Sequence, residues 1–525
     1  MWLALISLVV IGSIAYFLFF RKTKNIFKEY GIREIDTSVV AGKIEIFLGR
    51  KGMPEGDDYA YKIMGSEKFC GIAEMGNSLI LVKDMELIKK VMIKDFDYFV
   101  DRREFFSDAE LSVKKMLPSL EGEEWKGVRT AVSPTFTTGK IRRMMDYFNS
   151  VGKDWVNSLA EKAKSSSDGS VTIEALKSVN HYTLDVIASA VFGFNAGTIK
   201  DPKSAFTTMA HRFADLNKWQ LMKFVISVQF PKLISILKMK IIDEEALTFF
   251  ERILDQGLKA RMSGDTTKRN DFLQLLVEAK KGELKAEGKD ELNSFEKEAQ
   301  LNGGAENESG EKKQWLTQQI MNSQSLVFFF AGFSSTSNSI TFTAYALAVH
   351  QDIQDRLRKE VGKIAKEDGS FDYDELSTLV YLDMVVCEVL RKFPAAARLE
   401  RKCVRDYKDV ESGLSIPKGA VVGIPVNAMH NDKQYYDNPD KFDPEHFSPD
   451  KKTQRNPYAY MPFGMGPRNC IGMRFALVET KAAVAHLVHN FRIEPTKKTP
   501  IPMSSYWAGF GLLPSKGLEL KLTPL

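Results

Sequence analysis

The sequence predicts a mainly helical chain with smaller β-sheets, preceded by one membrane-spanning helix. Three observations carry this reading. Helical patterns dominate residues 141–280, 315–350 and 473–488, with apolar positions recurring at helical spacing. Two stretches, 69–82 and 511–522, read as hairpins punctuated by glycine, asparagine or proline. And Trp2 to Phe20 carries no charge, with Arg21, Lys22 and Lys24 directly behind it.

The apolar start is long enough to cross a hydrocarbon core of roughly 30 Å. It lacks the basic beginning, short apolar region and small-residue cleavage site of a removable leader. The basic cluster stays cytoplasmic by the positive-inside rule. The expected organisation is an anchor at 1–20, a polar linker at 21–40, and one large domain over 41–525. Hydrophobic residues make up 44 % of 525, enough for a sizeable core, and a net charge of +5 gives no sign of a nucleic-acid partner. Four cysteines are too few for a disulfide scaffold and show no zinc spacing.

In chain order, Phe69-Cys70-Gly71-Ile72-Ala73 and Ser78-Leu79-Ile80-Leu81-Val82 form the first hairpin, with Gly76-Asn77 as the turn. Asp84 opens a short helix carrying Ile88, Val91 and Met92. Trp125 and Arg129 lie four apart, so a helix puts them on one face. An indole N–H and a guanidinium there suit a carboxylate, which arginine grips bidentately. His181 and His211 have no sequence partners and read as packing or surface residues. Residues 280–314 are rich in Lys, Glu, Gly and Asn and too polar to order themselves, so a flexible surface loop is expected. From Trp315 to His350 the pattern is apolar or small all round, which places that helix in the core. At its centre stand Ala331, Gly332, Phe333, Ser334, Ser335 and Thr336. A mid-helix glycine costs about 1 kcal/mol against alanine, so Gly332 has a reason: close approach of a flat ligand, or close helix packing. Glu388 and Arg391, three apart, face one side of a helix.

The densest signal is Phe463-Gly464-Met465-Gly466-Pro467-Arg468-Asn469-Cys470-Ile471-Gly472. Cys470 sits at or just before a helix N-terminus. Free backbone N–H groups, the macrodipole and Arg468 all favour its thiolate, the form that ligates metal. The plain alternative is a buried cysteine in a glycine turn.

This stretch resembles the haem-binding loop of the cytochrome P450 family, F-x-x-G-x-R-x-C-x-G, at Phe463, Gly466, Arg468, Cys470 and Gly472. Four other elements follow in the family's order: W-x-x-x-R at Trp125 and Arg129, A-G-x-x-(S/T) at Ala331, Gly332 and Ser335, E-x-x-R at Glu388 and Arg391, and P-E-x-F at Pro444 to Phe447. The look is that of the microsomal, drug- and steroid-metabolising animal branch, from Ser133-Pro134-Thr135-Phe136 and Arg398-Leu399-Glu400-Arg401. The resemblance implies haem b with Cys470 as the iron's axial ligand. It implies that Arg102, Trp125, Arg129, Arg401, Phe463, Arg468 and Gly472 bind the cofactor, and that Ala395 to Ala397 touch substrate. It implies a monooxygenase fed by NADPH through a membrane-bound reductase, with cytochrome b5 as a second donor. The place implied is the cytoplasmic face of the endoplasmic reticulum, and Lys126, Arg142, Arg143 and Lys481 are candidates for a basic docking face. Leu326 to Phe330 and Phe333 would line a pocket for lipophilic substrates, and Ser504 to Phe510 would loop back into it.

The chain departs from the pattern at three places. Ser334 stands where an acid is usual and Ser335 where threonine is usual, in the pair that delivers protons during oxygen activation. His446 replaces the arginine that completes a network with Glu388 and Arg391; imidazole is shorter and often neutral, and His446 as an unusual haem ligand is the remote option. The proline-rich hinge usual after the anchor is absent from 21–40. Two other activities therefore stay open: an isomerase or dehydratase of lipid hydroperoxides that needs no NADPH, and a non-catalytic haem-binding sensor.

Overall fold

The computed structural model describes residues 26–40, 53–74, 77–104, 106, 110–214, 217–229, 236–264, 270–283, 315–503, 505–508, 511–514 and 517–525. The expected anchor at 1–20 and nearly all of the polar stretch 280–314 lie outside them. Among the described residues no helix is long and apolar enough to cross a membrane.

Helices dominate. Those that frame the site are α1 (Met53–Ile63), α2 (Gly122–Val132), α3 (Thr138–Lys164), α4 (Ala175–Ile187), α5 (Ala205–Ala214), α6 (Glu244–Ser263), α7 (Gln318–Val349), α8 (Val380–Lys392) and α9 (Met473–Asn490). The longest, α7, starts where the Thr317 hydroxyl accepts the Ile320 N–H at 3.2 Å, an N-cap that satisfies one orphan donor. Its apolar and small residues on every side let α4, α5, α6, α8 and α9 pack around it.

The strands are β1 (Glu34–Ile35), β2 (Phe69–Glu74), β3 (Asn77–Val82), β4 (Val171–Glu174), β5 (Leu399–Lys402), β6 (Tyr407–Lys408), β7 (Ser415–Ile416), β8 (Val421–Ile424), β9 (Phe491–Pro495), β10 (Ser505–Ala508), β11 (Gly511–Pro514) and β12 (Glu519–Pro524). Five of them form one sheet in the order β1-β2-β3-β8-β5. The β2–β3 hairpin forms, but Asn77 already pairs with Glu74. Asn77 therefore belongs to the strand and not to the turn expected of Gly76-Asn77, and Gly76 lies outside the described residues. The expected C-terminal hairpin over 511–522 does not form. β11 pairs back onto β10, while β12 joins β9 and β4, burying Leu520 and Leu522. Alternation along the chain announced strands there, but β11's partner is the strand just before it, and β12's partners lie farther back in the chain.

Candidate active site

The loop before α9 is closed by its own backbone. The Cys470 N–H donates to the Phe463 carbonyl at 2.8 Å, and the Asn469 N–H to that of Gly466 at 3.0 Å. Gly466 has φ +68°, and a Cβ there would stand 2.0 Å from the Met92 carbonyl oxygen. Only glycine lets the loop lie against the turn at Lys90–Lys94. Gly472 differs: a Cβ would meet nothing nearer than Phe136 at 3.9 Å. The space before it is the cavity.

Cys470 opens into that cavity, of about 580 Å³. The same cavity is lined by Arg102, Trp125, Arg129, Ala331, Gly332, Ser335, Arg401, Phe463, Arg468 and Gly472, and by Ala395 to Ala397. Burial raises the Cys470 thiol above its ordinary value, while the Gly472 N–H, Arg129 and Arg102 pull it down. The cations beside the thiol are thus Arg129 and Arg102, where the sequence pointed to Arg468. Desolvation outweighs the helix end, and it is a metal ion that removes such a proton outright.

Above the loop four guanidinium groups converge. Asp101 bridges to Lys402 on β5, its carbonyl accepting the Lys402 N–H at 2.8 Å, which fixes the stretch containing Arg102 alongside β5. Arg102 donates to the Arg468 carbonyl at 3.0 Å, and Arg468 to that of Leu120 at 2.6 Å. Arg129 donates to the backbone and side-chain oxygens of Asn469 at 3.0 and 2.7 Å. Trp125 carries Arg468 over its ring at 4.3 Å. The W-x-x-x-R pair thus clamps the cysteine loop instead of a carboxylate of the protein.

These cations are poorly compensated. Arg468 has Asp101 at 3.7 Å, and the buried Nε atoms of Arg401 and Arg468 have no partner among the described residues. Burial first, and the neighbouring guanidiniums Arg102 and Arg468 second, hold Arg401 well below the ordinary arginine value. Burial brings Arg468 down to about 9 and Arg129 to about 10. Arginine is otherwise always charged, so this is a site that wants an anion. A flat group bearing two carboxylates beside Gly472 would relieve the repulsion and give the orphaned N–H groups acceptors. The residues fit haem.

On α7 the outcomes divide. Ser335 lines the cavity, its hydroxyl donating to the Ala331 carbonyl at 2.7 Å. Ser334 does not line it. A Cβ on Gly332 would lie 2.6 Å from Ile187 of α4, so close helix packing accounts for that glycine. Of the aromatic stretch only Val327 and Phe328 face the cavity. Phe329 and Phe330 pack instead on Phe250 of α6, and Phe333 is buried with its edge toward His211. A helix apolar on every side does not say which face meets the ligand. None of the described residues of 504–510 lines the cavity, because 505–508 are held in β10.

Glu388 and Arg391 form a fully buried bidentate pair, both bonds 2.7 Å. Arg391 also donates to the carbonyls of His430 and Pro439 at 2.8 and 3.0 Å. His446 joins them: Nδ1 lies 3.2 Å from Glu388 Oε1 and Nε2 2.5 Å from the Asp437 carbonyl. The ring thus bridges the Glu388 carboxylate and the Asp437 carbonyl. His446 takes the missing arginine's place in the network and lies outside the cavity, which removes it as a haem ligand.

Two groups escaped the sequence reading. Glu479 on α9 is buried with neither carboxyl oxygen partnered among the described residues, and burial keeps it well above the carboxylate range against a facing Thr336 hydroxyl. It is a buried acid against the helix whose usual acid is Ser334 here. The other is a charged network around Asp57 and Arg398 at the cavity wall. Among the docking candidates, Lys481 is buried and bound to Asp383 at 2.8 Å, so it contributes nothing to an exposed face. Lys126 and Arg142 each carry a surface carboxylate partner.

A cysteine loop beneath a cradle of arginines, set against a long central helix in an α-rich fold, defines a haem-thiolate protein. The cytochrome P450 family model matches residues 57–522, and the chain belongs to that family of monooxygenases. It is 34 % identical to cytochrome P450 9e2 of Blattella germanica over 99 % of this chain and 98 % of that protein. It is 33 % identical to cytochrome P450 3A11 of Mus musculus, over 98 % and 96 % respectively. With cytochrome P450 6a2 of Drosophila melanogaster the identity is 35 %, over 83 % and 82 %.

Proposed function

We propose that this chain inserts one oxygen atom of O2 into a lipophilic substrate of the xenobiotic, steroid or fatty-acid kind, with electrons passed from NADPH by a membrane-bound reductase. The observation that carries this reading is the joining of Cys470, the arginine cradle and an apolar wall in one cavity. When bound, haem supplies the oxygen activation, and the axial thiolate pushes electron density to favour O–O cleavage. Arg102, Arg129, Arg401 and Arg468 would hold its carboxylates. Phe136, Phe328 and Ala395 to Ala397 would hold the substrate and keep water from it. Ser335 offers a hydroxyl that can carry a proton into the cavity. The uncharged start of the chain and the basic residues behind it support the cytoplasmic face of the endoplasmic reticulum, where cytochrome b5 would be a second donor.

The test is product formation from a lipophilic substrate by the haem-loaded protein with NADPH and reductase. We expect oxidised product that requires both. Turnover of lipid hydroperoxides with neither, and no NADPH-dependent product, would overturn the reading in favour of an isomerase. No turnover of any kind would leave the sensor.

The serine at 334 gives a second expectation. Ser334→Asp restores a carboxylic acid and should raise the fraction of NADPH that ends in product, measured against peroxide release. Unchanged or lower coupling would mean that water already carries the protons.

A further inference from the structure

His430 closes a short helix, Val426–His430, and is fully buried. It is held from two sides. Its carbonyl accepts from Arg391 of α8 at 2.8 Å, and its ring Nε2 accepts the Met461 N–H at 3.0 Å. The donor to the ring is a backbone amide, so Nε2 is bare and the neutral imidazole keeps its hydrogen on Nδ1. Burial first, and the Arg391 charge second, hold the ring down to about 3, so it remains an acceptor at ordinary pH.

Met461 stands at the entrance to the cysteine loop. Its carbonyl accepts the Gly464 N–H at 3.0 Å, which folds the turn at 461–464. Within that turn lies Phe463, whose carbonyl accepts the Cys470 N–H at 2.8 Å. A run of hydrogen bonds therefore leads from the buried Glu388–Arg391 pair, through His430, to the backbone of Cys470. The other contact of the ring is a stack on Tyr460 at 5.3 Å, and the Tyr460 hydroxyl donates to the Cys387 carbonyl at 3.0 Å. A phenylalanine would make that stack as well. It would also avoid burying His430 Nδ1, which has no partner among the described residues. What the imidazole adds to packing is the acceptor for Met461.

Groups behind a metal ligand fix its orientation. We infer that His430 is a positioning residue for the haem ligand: its bare ring nitrogen hangs the entrance of the cysteine loop from α8 and so keeps the Cys470 sulfur at the iron. This rests on the haem-thiolate reading and deepens it. The experiment compares two variants of the haem-loaded full chain that separate packing from acceptor. His430→Phe keeps a ring and loses the acceptor; His430→Gln loses the ring and keeps an acceptor oxygen. Each is reduced with dithionite under carbon monoxide, and the rate at which the thiolate band disappears is followed. We expect His430→Phe to lose the band about tenfold faster than the wild type, and His430→Gln to stay within about twofold of it. The reverse order, no acceleration in either variant, or equal acceleration in both would overturn the assignment. If His430→Phe does not fold, His430→Gln decides alone: a rate within about twofold of the wild type upholds the assignment, and a faster one overturns it. A wild type that shows no thiolate band would refute the haem-thiolate reading itself, and the assignment with it. No substrate, NADPH or reductase enters the measurement, so failure here is distinct from failure to form product.

Discussion

Cys470→Ala yields a protein that still takes up haem but loses the carbon monoxide difference band typical of thiolate-ligated haem, together with NADPH-dependent turnover. The arginines that would grip the carboxylates are untouched by the change. What goes is the one thiol on the cavity wall: Cys70, Cys387 and Cys403 are buried elsewhere. No histidine is among the residues lining the cavity, so no neighbour can take over as a nitrogen ligand. The measurement is the reduced, carbon monoxide-bound spectrum of both proteins. A band at the shorter wavelength typical of histidine ligation in the folded wild type would refute the assignment of Cys470.

Arg391→Ala lowers stability by roughly 3–5 kcal/mol, because it leaves a buried carboxylate unpaired. The loss is larger than for a surface pair, which is worth about 1 kcal/mol or less. Glu388 and Arg391 are both fully buried, and Arg391 additionally satisfies the carbonyls of His430 and Pro439. The His446 ring and the Asp443 N–H stay beside Glu388 Oε1 at 3.2 and 2.9 Å, while Oε2 loses the Arg391 Nε–H. Against a typical total of about 5–15 kcal/mol, the change removes a large share of the stability. Denaturant midpoints of wild type and variant give the number. A loss below about 1 kcal/mol would mean that the pair behaves like a surface one.

Much of this site was legible in the residues. The cysteine loop could be read because glycine, arginine and cysteine at fixed spacing have few other uses. Trp125 and Arg129 could be placed on one helical face because α-helical spacing is local. Their partners could not: Arg468 and Asn469 lie more than three hundred positions away, and nothing in a local pattern points that far. The Asp57–Arg398 contact has the same cause of invisibility. The aromatic residues of α7 failed for another reason, because a helix surrounded by protein has no polar face to orient it. The surroundings of Cys470 were read only in part: the cations that pull its thiol down are Arg129 and Arg102, brought in from far along the chain, and not the neighbouring Arg468.

The cradle draws Arg102 and Arg129 from the first quarter of the chain and Arg401, Arg468 and Cys470 from its last quarter. During synthesis the ribosome has therefore released nearly the whole polypeptide before the two halves of the site can meet. Until then, and afterwards until an anion arrives, the four like charges push the halves apart. A ligand that binds only the closed arrangement stabilises it by mass action. Haem supply would then act as an assembly factor for the newly made chain, and cells short of it would accumulate a protein that is complete in sequence but open at its centre.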